Sequence, residues 1–144
     1  MRLTTFTDYS LRVLMYVAAQ PDRQVTIAEI AAAFDVSRNH LTKVVHHLGK
    51  AGLLTNARGR GGGVALARPA EAINLGTVVR TAEARGPLVE CFDAHTNHCV
   101  LTPVCVLRGA LEEAIDAFYA ALDRYTLADI TRNRGQLQSV LRVA

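Results

Sequence analysis

All three cysteines of this 144-residue chain fall in one stretch, Cys91-Phe-Asp-Ala-His-Thr-Asn-His-Cys99-Val-Leu-Thr-Pro-Val-Cys105. Thiolates are soft donors that suit iron–sulfur clusters, zinc or copper(I), so their clustering points to a metal site. Three thiolates leave a four-donor cage one ligand short. His95 and His98 lie inside the stretch, and Cys91, His95, His98 and Cys99 form an alternative zinc set. At the C-terminal end, Thr102 has the preferences of a helix cap and Pro103 those of a first helical residue. That predicts a helix from Pro103 with Cys105 in its first turn, where the helix dipole favours a thiolate. A thiol hydrolase would need a base and an orienting group beside a cysteine. His95 near Cys91 or Cys99 only mimics that, and no enzyme is expected.

Helices must position this loop, and the composition agrees: half of the residues are apolar, with no tryptophan and few aromatics. No apolar run approaches the length that spans a bilayer, so no membrane partner is expected. An odd number of cysteines without a secretion signal argues for a reducing cytoplasm rather than a disulfide scaffold. The net charge of +3 conceals an asymmetry. Between Val36 and Ala70 there is no acidic residue, but there are six basic ones: Arg38, Lys43, Lys50, Arg58, Arg60 and Arg68. Such a block has the electrostatic character of a polyanion-binding surface, although a solvated face with chance bias would look the same by charge alone.

Residues 4–19 read as an amphipathic helix, with Phe6, Tyr9, Val13, Leu14 and Val17 at helical spacing and Asp8 and Arg12 four apart on another face. Thr26-Ile-Ala-Glu29 is a capping box for a short second helix. Ser37 is placed to cap a third, which runs to about Ala51 and buries Leu41, Val44, Val45 and Leu48. Its other face is polar, and Gly52 is its natural stop. A helix-turn-helix results, with the third helix suited to a DNA major groove. Leu53–Ala57 and Val64–Ala67 then flank Arg58-Gly-Arg-Gly-Gly-Gly63, which predicts a two-stranded hairpin with a basic tip and makes the module a winged helix. The glycine run lacks the Lys-Ser/Thr of a nucleotide-binding loop. Ser37, Arg38, Asn39, His40 and Lys43 on the helix, with Arg58, Arg60, Gly61 and Gly62 on the wing, are the candidate DNA contacts.

Farther on, a helix is expected from about Asn74 to Ala84. A long one follows from Pro103 to about Tyr125, and a short one is capped at Thr126, followed by a frayed tail. Leu107, Leu111, Ala114, Ile115, Phe118, Leu122 and Tyr125 give the long helix an apolar face too broad for so small a chain to cover. That predicts a homodimer, as readers of two DNA half-sites need. The expected fold is mainly α: a winged helix-turn-helix over residues 1–68, a connecting helix over 69–86 and a metal-binding loop over 87–105. The long dimerisation helix covers 103–125, and a short helix and tail cover 126–144.

Thr7-Asp-Tyr-Ser-Leu-Arg12, Val36-Ser-Arg-Asn-His-Leu-Thr-Lys43, Arg58-Gly-Arg-Gly-Gly-Gly63, Ile73-Asn-Leu-Gly-Thr-Val-Val-Arg80 and the cysteine loop occur in an order that resembles the bacterial iron–sulfur winged-helix regulators. Ser37-Arg-Asn-His40, Leu101-Thr-Pro-Val-Cys105 and Tyr125-Thr-Leu-Ala-Asp129 resemble the family's nitric-oxide-sensitive repressors in particular. The resemblance implies a homodimeric repressor of double-stranded operator DNA with a [4Fe–4S] cluster in each subunit. Its nitrosylation by nitric oxide would release the operator. Cys91, Cys99 and Cys105 would be ligands, with Asp8 of the partner subunit as the fourth and Arg12 supporting it. A [2Fe–2S] cluster or zinc is the alternative cofactor, and iron or cluster status is the alternative signal. Members that read iron status carry a histidine three residues beyond the last cysteine, where this chain has Arg108. Seven residues separate Cys91 from Cys99, which leaves His95 or His98 open as a competing ligand.

Overall fold

The computed structural model describes residues 2–57, 62–83 and 87–141. The helices are α1 (Thr5–Ala18), α2 (Ile27–Phe34), α3 (Arg38–Lys50), α4 (Leu75–Glu83), α5 (Val106–Leu122), α6 (Leu127–Ile130) and α7 (Arg134–Val140). Strands β1 (Leu54–Asn56) and β2 (Val64–Leu66) pair antiparallel, with Leu54 opposite Leu66 and Asn56 opposite Val64. This is the expected winged helix-turn-helix.

Helix α1 is the hub, packing on α3, α4, α6 and β2. Its Val13 and Leu14 are fully buried with Ile30 of α2, Leu41 and Leu48 of α3, Ile73 and Leu127. The predicted stripe of α3, Leu41, Val44, Val45 and Leu48, is at most 2% exposed. Thr26 and Glu29 exchange the two bonds of a capping box at the start of α2. The turn into α3 is tight because Asp35 takes a left-handed φ of 51°, a conformation that aspartate tolerates better than most residues. Gly52, at φ 68°, ends α3 as expected. Ser37 stands at the N-cap of α3 but makes no side-chain cap bond. Gly63 is needed where the wing closes on Val25, since a Cβ there would come within 2.8 Å of the Val25 carbonyl oxygen.

Thr4 caps α1 and donates from its N–H and hydroxyl to Glu83 at the end of α4, at 2.6 and 3.0 Å. Burial works against the charged form of Glu83. Donation from Thr7 and Thr4 outweighs it and holds the carboxyl below its usual range. In the same last turn of α4, Arg80 donates twice to Asp123, at 2.7 and 2.6 Å, and lies 4.5 Å over the Tyr119 ring. Gly76 makes room for this clamp, because a Cβ there would overlap the Asp123 carboxylate.

The long helix departs from expectation at both ends. Thr102–Val104 forms a 3-10 turn and Cys105 is extended, at φ −80° and ψ 103°. Helix α5 therefore begins at Val106, with Cys105 at its N-cap rather than in its first turn. The Thr102 hydroxyl is committed to Asn97 and to the Cys99 carbonyl instead of capping. The helix stops at Leu122 because Tyr125 is drawn away, its carbonyl accepting from Leu75 N–H at 3.0 Å. The segment Arg134–Val140, expected to be a frayed tail, is helical and docked. Arg134 and Gln138 of α7 both donate to the Ala19 carbonyl at the end of α1, at 3.2 and 2.6 Å.

Candidate functional site

Two surfaces carry the candidate residues. On α3, the exposed face holds Arg38, Asn39, His40, Thr42, Lys43, His46 and Lys50, preceded by exposed Ser37. Neither Arg38 nor Lys43 is in an ion pair among the described residues, so both cations are available to a polyanion. A shallow groove of about 410 Å3 separates this face from the wing, lined by Thr26, Arg38, Thr42, His46, Asn56 and Gly62 among others. Thr42, His46 and Asn56 were not among the sequence candidates. The spacing of Arg38, Thr42 and His46, one helical turn apart, was the available signal for the first two. Arg58, Arg60 and Gly61 lie outside the described residues. Lys43→Ala is expected to weaken operator binding about equally across sequences and lower the slope of log affinity on log salt by about 1. Unchanged affinity at matched salt would remove Lys43 from the interface.

The second surface is the cysteine loop. Cys91 lies in a 3-10 turn (Glu90–Phe92), Cys99 in the loop and Cys105 at the head of α5. All three are free thiols and half-buried. The Cys99 N–H donates to Asn97 Oδ1 at 3.0 Å, and its carbonyl accepts from the Thr102 hydroxyl at 2.9 Å. Asn97 and Thr102 thus hold the backbone around Cys99. His95 and His98 are exposed, with the His95 N–H bonded to Asp93. Among the described residues, no three His, Cys, Asp or Glu side chains come together as a metal ion requires. The single chain therefore preassembles neither the cysteine set nor the zinc set. The donor chemistry nevertheless suits a cluster: three unpaired thiols stand on one partly exposed loop, outside the packed core.

Asp8 and Arg12 pair across one turn of α1, at 2.9 and 3.1 Å, with both side chains 45% exposed. Arg12 also lies 5.8 Å from the Phe34 ring at the end of α2. One cation thus links Asp8 to the helix-turn-helix. Within one chain Asp8 is paired with Arg12 and is not gathered with the thiols among the described residues.

Beside the loop, Val100, Leu101, Val104, Val106 and Leu107 are 60–89% exposed. Helix α5 has no fully buried residue. That is an exposed apolar surface of the kind that marks an interaction face. No helix among the described residues is long and apolar enough to cross a membrane.

Comparison with known proteins agrees with the architecture. The model of the Rrf2 family, described as iron-dependent transcriptional regulators, matches residues 3–133. The HTH-type transcriptional regulator NsrR of Geobacillus kaustophilus is 53% identical over 144 residues, covering 99% of this chain and 97% of its own. NsrR of Bacillus subtilis is 46% identical, with 99% of each chain covered. Among solved structures, the B. subtilis global cysteine regulator CymR superposes with a TM-score of 0.73 at 26% identity, over 92% of this chain and 98% of that one. T. potens IscR does so with a TM-score of 0.74 at 23% identity, over 96% and 91%, and bears on the fold alone.

Proposed function

This chain belongs to the Rrf2 family of transcriptional regulators, and from that premise we propose a cytoplasmic, homodimeric repressor that reads double-stranded operator DNA and responds to nitric oxide. Cys91, Cys99 and Cys105 of one protomer, with Asp8 of the partner subunit, would hold a [4Fe–4S] cluster. The observation that carries this reading is the set of three free thiols on one loop, at the head of a helix whose apolar face its own chain leaves open. The likeness to regulators named NsrR supports the nitric-oxide signal.

When bound, such a cluster would supply iron that can react with nitric oxide. Thiolates are soft donors, whereas the Asp8 carboxylate is hard, so Asp8 would be the weakest-held of the four candidate ligands. Within its own chain Asp8 has an alternative partner in Arg12. Arg12 also contacts Phe34 of α2, so that pair reaches the reading head. An exposed pair is worth only about 0–1 kcal/mol. Most of the switching energy must therefore come from a difference in stability between two conformations of the dimer. The signal of iron status is disfavoured by Arg108, which pairs with Glu112 at 3.1 Å and offers a cation where that reading requires a ligand.

A native mass spectrum of protein purified without oxygen tests this. A dimer with one [4Fe–4S] cluster per subunit is expected, and a nitric-oxide donor should release operator DNA from it. Zinc in place of iron, with failure to reconstitute by iron and sulfide, would leave a winged-helix regulator with another signal.

A further inference from the structure

Asn56 ends β1, and its backbone is fixed there by pairing with Val64 and by the Ala57 N–H on the Gly63 carbonyl, at 2.9 Å. Side chains two apart on a strand share a face, so the Asn56 amide follows buried Leu54 toward α3. Its Nδ2 comes to rest beside Gly49, where a Cβ on the glycine would be 3.5 Å away. The side chain is exposed and makes no hydrogen bond among the described residues. Its NH2 donors are therefore open, at the edge of the groove between α3 and the wing. What passes through that groove follows from the shape of a duplex. Leu41, Val44, Val45 and Leu48 turn to the core, so Asn39, Lys43 and Lys50 stand opposite them, where α3 would face a major groove. Arg38 and Thr42 lie to one side of that line, toward the wing. A wing with Arg58 and Arg60 in its tip suits the neighbouring minor groove. Only a sugar–phosphate strand separates a major groove from the minor groove beside it, so that strand must cross between α3 and the wing.

We propose that the Asn56 amide donates to a phosphate of this strand and anchors it between the two reading elements. Contacts to phosphate position a protein on DNA but carry no sequence preference of their own. The amide is neutral, so unlike Lys43 it displaces no counterion when it binds. Asn56 thus adds affinity without adding salt dependence. The assignment rests on the DNA-binding part of the function proposed above, and is independent of the metal and of the signal.

Duplexes with a randomised core, captured by the full-length protein purified without oxygen and then sequenced, test this. One captured and one unselected duplex are also titrated across a range of salt concentrations. Asn56→Ala is expected to enrich the same motif as the wild type and to bind both duplexes about tenfold more weakly. Its slope of log affinity on log salt should equal that of the wild type, in contrast to Lys43→Ala. Asn56→Asp keeps the shape but sets a carboxylate against the phosphate, and should be weaker still on both duplexes. The amide bonds nothing in the free protein, so both variants should melt with the wild type and a fall in affinity reports the contact. A motif that loses a base preference in Asn56→Ala would make Asn56 a reader of bases and overturn the proposal. So would unchanged affinity in Asn56→Ala, or an Asn56→Asp protein that binds like the wild type. Wild-type protein that binds neither duplex would instead sink the DNA-binding reading beneath it.

Discussion

Cys105→Ser, purified without oxygen, is expected to be a colourless dimer that binds its operator roughly 5–150-fold more weakly than the wild-type protein, the usual range for coupling between two sites. The substitution separates ligation from folding unusually well. Cys105 holds the N-cap of α5 in an extended conformation and makes no side-chain cap bond. Serine is a favoured cap, so α5 should form at least as well in the variant. What changes is the donor: a soft thiolate gives way to a hydroxyl that binds iron poorly and stays protonated at neutral pH. Absorbance of the intact protein and operator affinity by mobility shift read the two consequences separately. Cluster and affinity both unchanged would exclude Cys105 from the ligand set. Asp8→Ala is the companion measurement. If it keeps its cluster and still releases DNA at the same nitric-oxide dose, Asp8 is not the switch. Cys91→Ser beside His95→Ala and His98→Ala settles the remaining ambiguity, because only the true ligand's removal should discharge the cluster.

How far the sequence could be read depended on how locally each feature is determined. The capping boxes at Thr26–Glu29 and Thr126–Asp129 are present as expected, since four consecutive residues contain both partners. The Asp8–Arg12 pair and the stop at Gly52 are legible for the same reason. The bounds of α5 were misread because contacts outside the helix set them. Periodicity carries the apolar face on to Tyr125, but the Tyr125 carbonyl is taken by Leu75, fifty residues away. Thr102 looks like a cap in isolation, yet it closes the loop on Cys99. The docking of α7 is invisible in its own residues, which have no strong stripe, and depends on the Ala19 carbonyl at the end of α1. The cysteine loop shows the same limit. Residue types suggest the chemistry, but among the described residues no three candidate donors come together.

Leu14→Ala and Leu107→Asp should fail in opposite ways, and the contrast tests the division of labour between the two long helices. Leu14 is fully buried at the centre of α1, among side chains from α2 and α3. Its truncation is expected to cost about 2–5 kcal/mol through lost burial and the cavity left behind. Against a total stability of about 5–15 kcal/mol, that lowers the urea midpoint sharply. Operator binding would fall only as the folded fraction falls. Leu107 is 64% exposed on α5, so within one chain the aspartate should change stability by no more than about 0.5 kcal/mol. In the dimer proposed here the same residue is covered by the partner, and a buried unpaired charge is strongly disfavoured. Leu107→Asp should therefore sediment as a folded monomer and lose the concentration dependence of unfolding that a dimer shows. It should also lose tight operator binding, because one reading head reaches one half-site. A Leu107→Asp protein that sediments as the wild-type dimer would mean that the exposed face of α5 is not the contact. The apolar surface around Cys105 would then need a different partner, and Asp8 could not be assumed to reach the cysteines across it.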